Sequence, residues 1–132
     1  MDGSERRKRK RLPWLNLEAK LKVKKSLFSS AWLEVRPFDY NKFGMGIMTI
    51  HDLELGDKIN ISLRLDLEVG EIVIEDLIGV IRYKSPKMGL NSFGLEFDSD
   101  SKIFKKQETQ EHLERIEQIL AKHAELVEKL QR

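Results

Sequence analysis

Two stretches of the chain carry residue types whose spacing could do chemistry. The first is RRKRKRLP, six consecutive cations from Arg6 to Arg11 placed directly ahead of Leu12 and Pro13. The second is DYNKFGMGI, where Asp39, Asn41 and Gly44 follow one another as D-x-N-x-x-G. A block of arginines and lysines admits three uses: a non-specific nucleic-acid arm, an address signal, or a clamp for a phosphate-bearing ligand. Judged alone, a basic run ahead of a domain reads as a solvated arm. An Asp-x-Asn turn with a following glycine, judged alone, reads as turn chemistry. Only the two together favour a site.

Catalysis finds little support elsewhere in the chain. His51, His112 and His123 are scattered and lack metal-ligand spacing. His123 falls on an apolar seam, where packing or register is the ordinary role. The acidic residues alternate with lysines, as on solvated outer faces. No nucleophile motif, Walker loop or dinucleotide fingerprint occurs, and GMG at 44–46 is too short for a phosphate loop. The expectation is a non-enzyme with no catalytic residue, no metal and no cofactor.

These stretches sit in a chain of 132 residues, enough for one ordinary core. Apolar residues make up 40% and charged residues 35%, with a formal net charge of only +2. A globally basic nucleic-acid binder is thereby disfavoured. The positive charge is concentrated early: ten cations and a single acid, Glu18, lie between Arg6 and Lys25. There is no cysteine, which removes disulfides, thiol nucleophiles and cysteine metal sites and fits a reducing cytoplasm. No apolar run approaches membrane-spanning length, and the start of the sequence lacks the apolar core of a signal peptide. A cytoplasmic, soluble protein without a membrane span is expected.

Three segments must position the candidate residues. Residues 1–13 form a flexible basic arm ending at Pro13. Residues 14–98 show a period of two: Leu17, Ala19, Leu21 and Val23 alternate with Glu18, Lys20 and Lys22. About six such runs, separated by turn residues and with no helix between them, predict an antiparallel barrel or sandwich. Trp14 and Trp32 are expected in its core. Residues 101–131 contain neither Gly nor Pro, and Leu113, Ile116, Leu120, His123, Val127 and Leu130 recur at steps of three and four. That pattern predicts an amphipathic helix of about 45 Å, longer than a small barrel can cover. Part of it should pack on the barrel, while the rest would need a partner, such as a second copy, or stand in solvent.

In this order, the two motifs resemble the signature of the PilZ domain family. Arg7 and Arg11 match its R-x-x-x-R, and Asp39, Asn41 and Gly44 match its D-x-S-x-x-G, with Asn41 where the family has serine. LELGDKINISLRL, LIGVIRY and FGLEF resemble its later strands, so the likeness spans about residues 6 to 98. The resemblance implies a six-stranded antiparallel β-barrel, here followed by a long C-terminal α-helix, that binds cyclic di-GMP, a bacterial second messenger.

The residue chemistry fits that ligand, which carries two phosphates and two guanines. Guanidinium forks match phosphate oxygens and the guanine O6/N7 edge bidentately. Asp39 could accept from guanine N1–H and N2–H, and Asn41 could bond the base or a phosphate oxygen. Gly44 is expected to allow positive φ in the turn and close ligand approach. Arg7 and Arg11 would close over the ligand. Arg6, just ahead of the motif, tends in this family to accompany a stacked ligand pair. Tyr83 lies near where some members place an aromatic that stacks on guanine.

Two readings compete. One is a cyclic di-GMP receptor that relays messenger level to a protein partner controlling motility, pili or exopolysaccharide and biofilm output. The other is a divergent PilZ module with little or no ligand binding, acting as an adaptor or homo-oligomer through its C-terminal helix. A DNA- or RNA-binding arm ranks third, because it lacks interleaved aromatics or a reading helix.

Overall fold

A computed structural model of the chain describes residues 17–87 and 89–131. Six strands are followed by two helices: β1 (Leu17–Ser26), β2 (Ser29–Asn41), β3 (Gly44–Thr49), β4 (Lys58–Asp66), β5 (Glu71–Lys87), β6 (Leu90–Phe97), α1 (Lys102–Lys105) and α2 (Gln107–Leu130). The strands close into an antiparallel barrel in the order β1-β2-β3-β6-β5-β4. A closed barrel leaves no unpaired edge. The period-two residues behave as the pleat requires. Leu17, Ala19 and Leu21 are buried, and their alternates Glu18, Lys20 and Lys22 are exposed.

The same alternation corrects one expectation. Trp32 shares its face with Glu34 and Arg36, not with the inward set Ala31, Leu33 and Val35, and it is 45% exposed. The Lys22 ammonium lies 5.9 Å from the centre of its ring. Trp14 falls outside the described residues.

Besides a register shift between Lys24 and Ser26 at the end of β1, three irregularities bend the ladder. One lies where Ser62 of β4 faces two residues of β5, Glu75 and Asp76. Asp76 adopts φ 61°, a left-handed conformation that Asp tolerates better than most residues. The other two fall between Pro37 and Asp39 on β2 and between Ile81 and Tyr83 on β5. A bulge inserts an extra residue and re-aims the side chains that follow. That is how Tyr40 points inward and Asp39 and Asn41 outward, although the even residues Trp32 to Arg36 face out earlier in the strand.

The C-terminal segment is helical as expected but broken at Lys106, which is extended (φ −66°, ψ 133°). The break has a geometric reason. The buried stripe of α2 is Thr109, Leu113, Ile116 and Leu120. Continued backward at helical spacing, it would aim Lys106 and Lys102 at the barrel. Breaking the helix instead lets Ile103 and Phe104 pack on the core. Ser101 caps α1, accepting from the Phe104 N–H at 3.3 Å.

The proximal half of α2 completes the barrel core, since Leu113, Ile116 and Leu120 belong to the same buried cluster as the strand residues. Each such side chain contributes about 1.5–3 kcal/mol by leaving water. Two hydrogen bonds fix the docking. The buried Tyr40 hydroxyl donates to the Leu113 carbonyl at 2.9 Å. The Lys42 backbone N–H donates to Glu117 Oε1 at 2.7 Å. Beyond Leu120 the barrel ends, leaving Leu126 51% and Leu130 86% exposed. Of the seam residues expected to face a surface, Leu130 meets none among the described residues.

Candidate functional site

A groove on the outer wall of the barrel runs across β2, β3, β6 and β5, with a volume of about 580 Å³. That is within the range of small-molecule sites, roughly 300–1,000 Å³. Asp39, Asn41 and Gly44 all line it. The sheet register explains how. Asp39 pairs with Gly46, Gly46 with Gly94, and Gly94 with Tyr83, so four strands contribute one continuous row. One step along the strands, Asn41 pairs with Gly44 and Gly44 with Glu96. Glycine at three central positions keeps the row itself free of side chains, although the Phe38 ring lies over Gly46. Polar or aromatic side chains stand on either side of it. A flat ligand can lie close against such a row.

Of these glycines, Gly44 is sterically required, and the other two sit in tight surroundings. A β-carbon on Gly44 would overlap the Leu95 carbonyl oxygen of the neighbouring strand. One on Gly46 would meet the Phe38 ring at 2.6 Å, and one on Gly94 would lie 3.1 Å from Tyr83 Cβ. Gly44 is not among the residues with positive φ, so the conformational reason expected from the sequence does not hold. Its need is close approach of β6 to β3, not an unusual backbone.

Asn41 has a local role. Its Oδ1 accepts from the Phe43 N–H at 2.7 Å, closing the two-residue turn between β2 and β3. With the oxygen engaged, its amide NH₂ is the group that faces outward chemistry. Asp39 is exposed on the groove wall. Tyr83 is 57% exposed, with its ring available to a stacking partner.

The electrostatics of the lining are notable for what they lack. Arg82 is the single cation among the described lining residues, and its Nε is paired with Glu96 Oε1 at 3.0 Å. Two carboxylates, Asp39 and Glu96, therefore face one guanidinium that is already engaged. A ligand bearing two phosphates would need cations from outside this lining. Arg6, Arg7 and Arg11 lie outside the described residues. Among the described residues, no cluster of His, Cys, Asp and Glu is arranged to hold a metal ion. No helix among them is long and apolar enough to cross a membrane.

Sequence reasoning missed Phe38, Gly46, Arg82, Gly94 and Glu96. A signal existed for the glycines, because glycine inside a strand marks a bulge or a close approach. None existed for the pairing of Arg82 with Glu96, which depends on the register set by the β5 bulge.

No family model matches the chain, and no curated protein matches it. Several solved structures share its fold, two of them as follows. The crystal structure of YcgR in complex with c-di-GMP from Escherichia coli superposes with a TM-score of 0.60 at 19% identity, over 87% of this chain and 46% of that one. The structure of MrkH from K. pneumonia gives a TM-score of 0.57 at 16% identity, over 82% and 46%. The chain thus spans just under half the length of each. At these identities the likeness establishes fold, and the fold is the PilZ-like barrel implied by the motifs, followed by the C-terminal helix expected from the apolar pattern.

Proposed function

We propose that the chain is a PilZ-type receptor for cyclic di-GMP, without catalytic activity, that acts in the cytoplasm by relaying ligand occupancy to a partner. One observation carries this reading: Asp39, Asn41 and Gly44 converge with Tyr83 on one glycine-lined groove. The described lining offers base-recognition groups but no unengaged cation. The arginine-rich arm immediately precedes β1 in sequence and is the natural source of phosphate-binding charge. YcgR, whose fold the chain shares, was solved with c-di-GMP bound.

In this scheme Asp39 accepts from the guanine Watson–Crick edge, Tyr83 stacks on a base, and Arg7 and Arg11 grip the phosphates, with Arg6 adding a contact to a second ligand molecule. Ordering of the arm opposes part of the gain. Isothermal titration with cyclic di-GMP, with GTP and duplex DNA as controls, tests the assignment. Saturable binding of cyclic di-GMP alone supports it. Equal binding of all three would instead mean a polyanion arm.

A second reading, an adaptor that self-associates, is favoured by one specific observation, the exposed Leu126 and Leu130 on the distal half of α2. It is compatible with ligand binding and would give the receptor its output surface.

A further inference from the structure

The β2–β3 hairpin is two-faced in a way that joins the groove to the helix. Asp39 and Asn41 line the groove, while the residues alternating with them, Tyr40 and Lys42, are bound to α2. The turn has two backbone N–H groups to satisfy. Phe43 gives its hydrogen to Asn41 Oδ1 within the hairpin, at 2.7 Å. Lys42 gives its hydrogen to Glu117 Oε1, also at 2.7 Å, from a residue 75 positions away. A backbone N–H bonded to a carboxylate is a strong, charge-assisted contact. The helix therefore supplies half of the turn's closure.

A small cleft of about 130 Å³ lies between the hairpin and the helix, lined by Phe43, Phe104, Gln110 and Leu113 among others. The turn is thus not packed solidly against α2 on all sides. Besides the bond from Lys42 to the helix, the Phe43 carbonyl accepts from the Phe97 N–H of β6 at 2.8 Å, so the turn is held from both the sheet and α2. Glu117 also sits close enough to Tyr40 to oppose ionisation of its phenol, which places the carboxylate beside both anchoring points.

We infer that Glu117 is a positioning residue for the ligand groove: by holding the Lys42 N–H it sets the turn that presents Asn41 and Asp39, so groove occupancy and helix docking are coupled. The inference rests on the proposed ligand reading for its functional meaning. The coupling is reciprocal by thermodynamic necessity: if docking of α2 strengthens ligand binding, ligand binding strengthens docking of α2 to the same degree. The exposed distal half of α2 would then report occupancy of a groove that it does not touch.

The test compares Glu117→Ala and Glu117→Gln in the full chain. Alanine removes the acceptor but is the strongest helix former, so α2 is retained. Glutamine keeps an acceptor oxygen without the charge. By titration, Glu117→Ala should weaken cyclic di-GMP binding at least about fivefold, the lower end of typical coupling, and Glu117→Gln should restore most of the loss. Ile74→Val, a mild change in the core on β5, serves as a control for general destabilisation and should leave affinity unchanged. Amide exchange gives a readout that needs no ligand. The Lys42 amide should exchange slowly in the wild type and in Glu117→Gln, and fast in Glu117→Ala. With ligand, exchange across residues 113–120 should slow in the wild type and not in Glu117→Ala. Wild-type affinity in Glu117→Ala, or a loss matched by Ile74→Val, overturns the inference. If the wild type binds no cyclic di-GMP, the ligand reading fails by itself, and unchanged Lys42 exchange in Glu117→Ala then decides against positioning.

Discussion

Asp39 and Tyr83 stand at opposite ends of one row of register partners, separated only by Gly46 and Gly94. Three inter-strand steps place them about 14 Å apart across the sheet, with an aromatic face at one end and a carboxylate at the other. The intervening glycines differ in what they exclude. At Gly46 a β-carbon meets only the far edge of the Phe38 ring, which can swing aside, whereas at Gly44 it meets the backbone of β6. Gly44→Ala should therefore cost about 1–3 kcal/mol by forcing β3 and β6 apart. Gly46→Ala should cost less in stability yet alter the groove by displacing Phe38. Urea unfolding ranks the two.

Tyr40 has a phenol whose ionisation is pushed far upward, first by burial and second by the nearby Glu117 carboxylate. An unfolded tyrosine ionises near pH 10. The folded pKa exceeds the unfolded one, so this contribution to stability is complete below pH 10 and lost as pH rises above it. The slope should approach about 1.4 kcal/mol per pH unit. Tyr40→Phe should lose about 1 kcal/mol at neutral pH through the missing bond to Leu113 and lack that alkaline slope. Unfolding curves at pH 8, 10 and 11 for both proteins separate this residue from the other groups that titrate there.

Much of the architecture was legible from the alternation of Leu17, Ala19 and Leu21 with charged neighbours and from the change of period after Ser101. The pleat was equally legible at Trp32, whose true companions Glu34 and Arg36 were on the page; its bulk suggested core, but its position decided otherwise. What the pattern could not show was the bulges, because an extra residue in one strand reads locally as ordinary polar punctuation. The β2 bulge turns Asp39 outward, and the β5 bulge brings Tyr83 opposite Gly94. The motif residues were named from resemblance, while the groove that joins three of them follows from register. The break at Lys106 was hidden for a different reason. No helix breaker marks it, only the misfit of Ile103 and Phe104 with the α2 stripe.

Asn41 closes the turn through its side-chain oxygen, and serine can offer an oxygen to the same N–H. Asn41→Ser should keep the turn and bind cyclic di-GMP as well as the wild type or better. Asn41→Ala leaves the Phe43 N–H without that acceptor and should cost about 1 kcal/mol of stability. Paired titration and thermal melts distinguish the two effects. A marked loss of binding in Asn41→Ser would show that the amide makes ligand contacts of its own.

The two halves of α2 should respond differently to a carboxylate. Leu120 is buried against the barrel, so Leu120→Glu places an unpaired charge in the core and should destabilise the fold by several kcal/mol. Leu126 is half exposed, so Leu126→Glu should change monomer stability by less than about 0.5 kcal/mol. Light scattering should show self-association in the wild type that Leu126→Glu abolishes. A wild-type monomer at high concentration would remove self-association as the role of the distal helix half.

The most direct test is calorimetric titration of the purified chain with cyclic di-GMP, repeated with Arg7→Ala, Arg11→Ala and Asp39→Ala. The wild type should bind saturably, and loss of a single charge-assisted bidentate contact should weaken affinity by about ten- to a hundredfold in each arginine variant, corresponding to about 1.5–3 kcal/mol. Circular dichroism should show the barrel unchanged. Absence of heat and of chemical-shift change with excess ligand, or binding that survives in all three variants, would contradict the assignment of the groove and arm to cyclic di-GMP.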